Sequence, residues 1–210
     1  MGASIAGHFA NAGIPSVLLD IVLPNQPNRN AAALKGIENA AKQRPGGFFV
    51  PEAASLITPG NFEDDLEKVK DCDWIIEAVA ENLTIKRDLF KKIELLRKPT
   101  AIVSTNTSGI PLHKIAEGFS TGFRQHFLGT HFFNPPRYMH LVELIPLPDT
   151  ALDAIDFVSA FCDRRLGKGV VPCKDTPNFI ANRIGSFFGA TVQKITIEGD
   201  YTVEIGRAHV

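Results

Sequence analysis

Short apolar segments that alternate with helical segments constrain the fold of this chain most strongly. Three of these segments have the length and composition of buried strands: 16–21, 73–79 and 101–104. Helical patterns lie around them, at 1–12, 31–43 and 85–98. Strands that alternate with helices along a chain are typical of an α/β fold with a mostly parallel sheet.

The first helix and the first strand have the order of the second half of a dinucleotide-binding βαβ unit. In such a unit a glycine-rich loop opens the helix, and an acidic residue about 20 positions later binds the adenine ribose hydroxyls. Asp20 ends the strand and follows Gly2 by 18 positions. An acidic residue here repels a 2′-phosphate and favours NAD over NADP. A single glycine before a helix is also explained by an ordinary helix N-terminus.

The first half of this unit is not present in the sequence. A G-x-G-x-x-G loop should follow a first strand, yet the chain opens with Met1 and Gly2. We expect Gly2 to be the last glycine of that loop, with the strand and two glycines upstream of Met1. The sheet should then lack its first strand.

Two strand-like runs, 127–133 and 140–146, flank a Pro-Pro break and carry one histidine and one glutamate. His131 and Glu143 are 12 positions apart, each among apolar neighbours. A histidine is suited to exchange a proton near neutral pH, and a carboxylate beside it fixes its tautomer and stabilises its cation. A histidine in an apolar run can also be a hydrogen-bonded core residue. His131 and Glu143 are therefore candidates for acid–base chemistry.

The polar segment 105–109 follows the strand 101–104, at the edge of an α/β sheet where ligands bind. Further on, the patterns predict a helix at 150–166 and a strand at 170–173. Asp175 followed by Pro177 indicates a helix start, with a capping residue and a proline in the first turn. This helix should run to about Glu198, and Asn182 should face away from its apolar stripe, towards solvent or a cleft.

Composition excludes several other classes of protein. The chain has 22 basic and 23 acidic residues, so no basic excess indicates a nucleic acid partner. No apolar run approaches the roughly 20 residues that span a bilayer, and the opening residues lack the basic start of a signal peptide. Three widely spaced cysteines fit reduced thiols in the cytoplasm better than disulfides or a zinc site. We predict a cytoplasmic protein without a metal.

Several motifs, taken together and in this order, resemble the L-3-hydroxyacyl-CoA dehydrogenase family. The segments are Leu19-Asp20, Glu77-Ala78-Val79-Ala80-Glu81-Asn82-Leu83 with Lys86, Ser104-Thr105-Asn106-Thr107-Ser108, His131-Phe132-Phe133-Asn134-Pro135, Leu141-Val142-Glu143, and Lys174-Asp175-Thr176-Pro177-Asn178-Phe179-Ile180-Ala181-Asn182-Arg183. The segment 130–138, together with Asn61-Phe62-Glu63-Asp64-Asp65-Leu66, looks closest to the long bacterial members, in which an enoyl-CoA hydratase region follows the dehydrogenase.

The resemblance implies oxidation of L-3-hydroxyacyl-CoA to 3-ketoacyl-CoA with NAD, in fatty acid β-oxidation, by a homo-oligomeric parent protein. His131 would be the general base, oriented by Glu143, while Ser108 and Asn182 would hold the substrate oxygen. Gly2 and Asp20 would bind the pyrophosphate and the ribose. The residues expected on the nicotinamide side are Glu81, Lys86, Ser108 and Asn134.

Simpler interpretations remain for several of these residues, and two remain for the whole chain. Lys86 could be a solvated charge on a helix, Asn182 a surface amide, Glu77 the end of a strand, and His140 a structural residue. The chain could instead belong to hydroxyacid dehydrogenases that use lysine as acid and base, although the His131–Glu143 pair speaks against this. It could also be a non-catalytic NAD-binding or structural protein of the same fold.

We expect three regions along the chain. Residues 1–175 form an N-terminally truncated NAD-binding domain, and 176–203 form the first helix of an all-helical domain. Residues 204–210 match the translation of a common sequencing adapter, so we expect a non-native tail. On this reasoning the chain is an incomplete, weakly active fragment of an enzyme.

Overall fold

The computed structural model describes residues 1–199 and 201, and within them the chain forms seven strands and seven α-helices. The strands are β1 (Ser16–Asp20), β2 (Ile57–Asn61), β3 (Trp74–Glu77), β4 (Ile102–Thr105), β5 (Phe127–Phe132), β6 (Leu141–Pro146) and β7 (Gly169–Pro172). The helices are α1 (Gly2–Asn11), α2 (Ala31–Lys42), α3 (Leu83–Leu96), α4 (Leu112–Ala116), α5 (Thr121–Gln125), α6 (Leu152–Arg164) and α7 (Ala181–Glu198). Two 3₁₀ helices lie at Pro51–Leu56 and Leu66–Asp71. The tail predicted at 204–210 lies outside the described residues.

The larger sheet has five strands in the order β3-β4-β5-β6-β7. The pairs β3–β4, β4–β5 and β6–β7 are parallel, and β5–β6 is antiparallel. The Pro-Pro segment after β5 thus turns the chain back beside β5. In this register His131 lies directly opposite Glu143. The predicted α/β, mostly parallel sheet is confirmed.

The strands β1 and β2 form a separate parallel sheet, and β1 shares no ladder with β3 within the described residues. Helix α1 packs against both sheets. Its Ile5 and Phe9 join the core over β4 and β5, while Ala6 and Ala10 pack against Ile57 of β2. That a further strand belongs between β1 and β3 stays a prediction.

An aromatic cluster fills one face of the larger sheet. Phe90, Phe123 and Phe127 are fully buried, with ring centroids 5.3–5.9 Å apart. Burying one such side chain contributes roughly 1.5–3 kcal/mol. Helix α6 covers the opposite face through Val158 and Cys162. The two layers hold β4 and β5, whose ends carry the candidate site, in a rigid core.

The predicted start of the last helix is wrong. Helix α7 begins at Ala181, and the preceding turn places Asn178 and Phe179 in the left-handed region, with φ of 63° and 49°. Asp175 is not available to cap α7, because its carboxylate accepts the amides of Leu112 and His113 at 2.8 and 3.0 Å and so caps α4.

The apolar stripe of α7 is exposed in this structure. Its large side chains, Ile184, Phe187, Phe188 and Ile195, have exposed fractions of 55–74%. No helix in the part of the chain that the structure describes is long and apolar enough to cross a membrane.

His8 on α1 is a buried histidine with one hydrogen bond. Its Nε2 lies 3.2 Å from the carbonyl of Leu166, while Nδ1 is buried without a partner among the described residues. Burial and, next, the positive charge of Lys168 lower the pKa of His8 from 6.5 to about 4, against the bond to Leu166. The imidazole is therefore neutral in the folded protein at neutral pH.

The depressed pKa of His8 predicts a loss of stability as the pH falls from about 6.5 to about 4. In this window the unfolded chain binds a proton that the folded chain does not, so acid favours unfolding. We expect His8→Gln, which keeps a donor for Leu166, to flatten the dependence of the free energy of unfolding on pH. Urea unfolding between pH 4 and pH 7 measures it, with the exposed His140→Gln as control. Equal slopes for wild type and His8→Gln would contradict this assignment.

Candidate functional site

The candidate site is built around the cross-strand pair of His131 and Glu143. His131 Nδ1 lies 2.7 Å from Glu143 Oε2, and both side chains are buried. A carboxylate accepts and cannot donate, so the Nδ1 proton belongs to the imidazole, and Nε2 carries the free lone pair. The pair has the arrangement of a general base and the group that orients it.

The second carboxylate oxygen of Glu143 holds the start of α7. Glu143 Oε1 accepts the amides of Ile180 and Ala181 at 3.0 and 2.8 Å. First-turn amides of a helix have no partner within the helix, and the helix N-terminus is favourable for an anion. Glu143 therefore connects His131 to α7, although its side chain has no exposed surface.

Ser108 occupies the free side of the imidazole. Its Oγ lies 3.1 Å from His131 Nε2, so its hydroxyl can donate to the lone pair of that nitrogen. The rings of Phe133 and Phe179 lie 4.6 and 5.6 Å from the His131 ring. Nε2 and the half-buried Ser108 are therefore polar groups at the end of a surface that is otherwise apolar.

Glu81 organises the segment that carries Ser108. Its Oε1 accepts the amides of Ser108, Gly109 and Ile110 at 2.9–3.3 Å, and also the hydroxyl of Thr107. Burial raises the pKa of Glu81, but the bonds from the segment and the charge of Lys86 outweigh it and lower this pKa to about 2. Glu81 is therefore ionised at neutral pH.

Lys86 is not a solvated charge. It is 1% exposed, and its ammonium contacts Glu77 Oε1 at 2.8 Å and Glu81 Oε2 at 3.3 Å. Glu77 ends β3, as the sequence indicated, and is itself buried. The contact of Lys86 with a cofactor stays a prediction.

Asp20 lies at the carboxyl end of β1, and Gly2 lies at the N-terminus of α1. Asp20 Oδ1 accepts the amide of Ile21 at 2.8 Å, and Oδ2 accepts no hydrogen bond within the described residues. A Cβ atom added at Gly2 would meet Leu18 and Ala78 at 3.7 and 3.8 Å. The two residues thus lie at the break between the sheets.

The remaining predicted residues are less constrained. Asn182 follows the two amides that Glu143 holds and is half-buried; among the described residues its side chain makes no hydrogen bond. Asn134 is exposed beside the Pro-Pro turn. His140 is exposed, and its carbonyl accepts the amide of Gly169, which agrees with the structural role expected for it.

Three further residues shape the site, although the sequence analysis gave them no role in it. Asn106 Oδ1 accepts the amide of Phe132 at 2.9 Å and ties the Ser108 segment to β5. Thr107 donates to Glu81, and Asp175 joins the segment before α7 to α4. Thr107 lies beside Ser108 in a polar run, but nothing local to Asp175 indicates a partner more than 60 positions away.

The fold and the site define a Rossmann-type domain with a histidine–carboxylate pair where β5 ends and β6 begins. Residues 1–176 match the family model described as the NAD-binding domain of 3-hydroxyacyl-CoA dehydrogenase. The chain belongs to this family. The resemblance that the motifs indicated and the prediction of NAD as the family's cofactor are confirmed.

Relatives and solved structures agree with this assignment. A probable 3-hydroxyacyl-CoA dehydrogenase of Deinococcus radiodurans is 53% identical over 89% of this chain, which covers 54% of that protein. A putative trifunctional enzyme of the fatty acid oxidation complex from Rickettsia felis is 43% identical over 89% of this chain, but only 26% of its own length. The crystal structure of (S)-3-hydroxybutyryl-CoA dehydrogenase from Ralstonia eutropha matches with a TM-score of 0.79 and 29% identity, over 97% of this chain and 70% of that one. The chain thus spans between about a quarter and about half of these curated relatives.

The double role of Glu143 predicts that its removal loosens α7 as well as His131. We expect Glu143→Ala to lower the free energy of unfolding by about 3 kcal/mol, because buried donors lose their acceptor. Amide hydrogen exchange at Ile180 and Ala181 should accelerate at the same time. Urea unfolding and NMR exchange measure the two effects.

Glu117→Ala is the control for this variant, because the Glu117 side chain is 79% exposed. Its removal should lower the free energy of unfolding by less than about 0.5 kcal/mol. Unchanged exchange at Ile180 and Ala181 in Glu143→Ala would show that Glu143 does not hold α7.

Proposed function

We propose that this chain is part of an enzyme that oxidises L-3-hydroxyacyl-CoA to 3-ketoacyl-CoA with NAD, as a step of fatty acid β-oxidation. The observation that carries the proposal is the hydrogen-bonded series Ser108 Oγ, His131 Nε2, His131 Nδ1 and Glu143 Oε2. Such a series removes a hydroxyl proton and stabilises the resulting imidazolium. The names of the relatives support the substrate class.

His131 acts as the base through Nε2. In the structure this nitrogen faces the Ser108 hydroxyl, and a 3-hydroxyl group placed beside Ser108 would donate its proton to the same lone pair. Glu143 keeps the Nδ1 proton in place and lies against the imidazolium that forms. A positioned base of this kind is worth about 10²–10⁴-fold in rate.

Ser108 and Asn182 hold the substrate oxygen. Ser108 is fixed by the bond of its amide to Glu81, and Asn182 is placed by the two helix amides that Glu143 accepts. Both side chains are half-buried and can reach a ligand. Their contribution is orientation, which lowers the entropic cost of reaching the reactive geometry.

The residues at the sheet edge fit NAD. Asp20 has a carboxylate oxygen without a partner among the described residues, which suits a ribose hydroxyl. Among the described residues no side chain caps the first turn of α1, so its amides can receive a pyrophosphate beside Gly2. The residues that would lie along the nicotinamide are Glu81, Lys86, Ser108 and Asn134. When bound, NAD supplies the oxidant that takes up the hydrogen from C3 of the substrate.

The geometry disfavours a lysine as acid and base. Lys86 is enclosed by two carboxylates, and the buried Lys168 donates to the carbonyls of Pro136 and Met139. Among the described residues, neither ammonium forms a hydrogen bond with His131. The histidine pair is therefore preferred as the reacting group.

The split sheet supports an incomplete cofactor domain. We assign residues 1–175 to this domain and propose that a further strand completes it between β1 and β3. The segment from residue 176, which contains α7, would open a helical domain. The apolar stripe of α7 would then pack against that domain. A homo-oligomeric parent protein and a cytoplasmic location stay predictions of the sequence.

Replacement of the base tests the mechanism. In an enzyme that contains this chain within its complete dehydrogenase, we expect His131→Gln to lower kcat by about 10²–10⁴-fold and to leave NAD affinity nearly unchanged. Glutamine keeps a polar side chain of similar reach but cannot accept the proton. The exposed His140→Gln is the matched control. Retention of full activity by His131→Gln would exclude this histidine as the base and favour a non-catalytic role for the pair.

Completion of the sheet tests the cofactor assignment. Isothermal titration of NAD should show weak binding to the 210-residue chain and clearly tighter binding to a version preceded by an apolar strand and a glycine-rich loop. Asp20→Ala in the extended version should weaken binding, because the ribose loses its acceptor. If the extended version also fails to bind, the assignment of Gly2 and Asp20 is wrong.

A further inference from the structure

Asp175 fastens the segment 175–181, which joins β7 to α7, to the start of α4. Its carboxylate accepts the amides of Leu112 and His113 at 2.8 and 3.0 Å, and His113 Nδ1 lies 2.6 Å from Asp175 Oδ2. Only 12% of the Asp175 side chain is exposed. Hydrogen bonds from backbone amides to a carboxylate are stronger than those between neutral groups. Asp175 is therefore a firm link between two segments that lie far apart in the chain.

Helix α4 is a rigid support for this link. Its Leu112 and Ile115 are fully buried and belong to the aromatic cluster of the larger sheet. The other end of α4 is fixed by Arg87 of α3, whose guanidinium donates to two carbonyls at that end, each at 2.7 Å. The core and α3 thus determine the position of α4, and through Asp175 they determine where the segment 175–181 begins.

The backbone of this segment is strained between its two attachments. Asn178 and Phe179 lie in the left-handed region, with φ of 63° and 49°. For a bulky residue such as phenylalanine this conformation is a genuine outlier, and it persists only where the surrounding structure enforces it. Here Asp175 holds the start of the segment, and Glu143 holds the first amides of α7 at its end. The Phe179 side chain between them is 3% exposed.

Two groups of the candidate site are carried by this segment. The Phe179 ring lies 5.6 Å from the His131 ring, and Asn182 follows the segment directly. Among the described residues, the Asn182 side chain makes no hydrogen bond, so the backbone that carries it determines its position. A shift at the start of the segment would therefore move Asn182 relative to the imidazole.

We propose that Asp175 is a positioning residue, which places Asn182 for the substrate oxygen by holding the segment 175–181 to α4. The inference rests on the proposed function for its effect on turnover, whereas the link itself can be measured without turnover. Displacement of a positioning group by about 1 Å can cost about 10²-fold in rate. Loss of the Asp175 carboxylate should therefore lower kcat by about 10–100-fold. NAD affinity should change little, because Gly2 and Asp20 lie on α1 and β1.

Two variants remove the carboxylate of Asp175 to different extents. Asp175→Asn keeps the volume and one acceptor oxygen, but it removes the charge and places an amino group against backbone donors. Asp175→Ala removes both acceptor oxygens. The matched control is Asp156→Asn on α6, because the Asp156 side chain is exposed and makes no hydrogen bond among the described residues.

In the 210-residue chain, NMR measures exchange of the two amides that donate to Asp175 and of the three amides of residues 179–181. We expect exchange at all of them to be about tenfold faster in Asp175→Ala and about threefold faster in Asp175→Asn, because a charged acceptor is lost. Asp156→Asn should leave it unchanged. Unchanged exchange at residues 179–181 in a folded Asp175 variant would show that Asp175 only caps α4, and would overturn the proposal. If Asp175→Ala does not fold, Asp175→Asn decides, since it changes the same carboxylate at constant volume.

In the complete enzyme, Asp175→Asn is made alone and together with Asn182→Ala. If Asp175 acts through Asn182, the double variant has the kcat of Asn182→Ala, whereas independent roles multiply the two losses. Multiplied losses, or a kcat of Asp175→Asn within about threefold of wild type, would contradict the positioning role.

Isothermal titration of NAD separates this role from an effect on the cofactor. The affinity of Asp175→Asn should stay within about threefold of wild type, as that of Asp156→Asn should, and a loss of about tenfold would speak against action through Asn182. A wild-type complete enzyme that is inactive on 3-hydroxyacyl-CoA would refute the proposed function. The exchange at residues 179–181 would then still decide whether Asp175 holds the segment.

Discussion

The carboxylate of Glu143 is the group on which the candidate site depends. It is fully buried, and its two oxygens serve different parts of the chain. One oxygen orients His131, and the other holds the first amides of α7. A buried charge is costly unless it is paired and hydrogen-bonded, and here three donors compensate it. The His131 imidazole and the start of α7 are therefore coupled through one side chain.

The second constraint is the break between the sheets. The strands that carry His131, Glu143 and the Ser108 segment belong to the five-stranded sheet, whose two faces are covered by the aromatic cluster and by α6. Asp20 belongs to the two-stranded sheet, and α1 packs against both this sheet and the larger one. Edge strands with unpaired backbone groups are less stable than paired ones. His131 and Glu143 thus lie within one sheet, whereas the groups assigned to the cofactor are divided between the two sheets.

Much of this arrangement could be predicted from the sequence, because it follows from local patterns. Apolar runs located the strands, and the two runs around the Pro-Pro turn brought His131 and Glu143 to one ladder. The start of α7 could not be predicted, because Asp175 is used by α4 and the amides of α7 by Glu143, both far away in the chain. The burial of Lys86 could not be predicted either. A lysine on an amphipathic helix is usually solvated, and only the three-dimensional position of Glu77 makes its burial possible.

The two carboxylate clusters of the site follow the same principle. Glu143 and Glu81 each gather backbone amides of a segment that has no regular hydrogen-bond partners: the start of α7 in one case and residues 108–110 in the other. Each also faces a basic side chain, His131 or Lys86. Glu143 contacts the imidazole at Nδ1, and Glu81 fixes the segment whose Ser108 hydroxyl meets Nε2. Positioning of this kind costs little reorganisation during a reaction, since the anions and amides are already in place before a substrate binds.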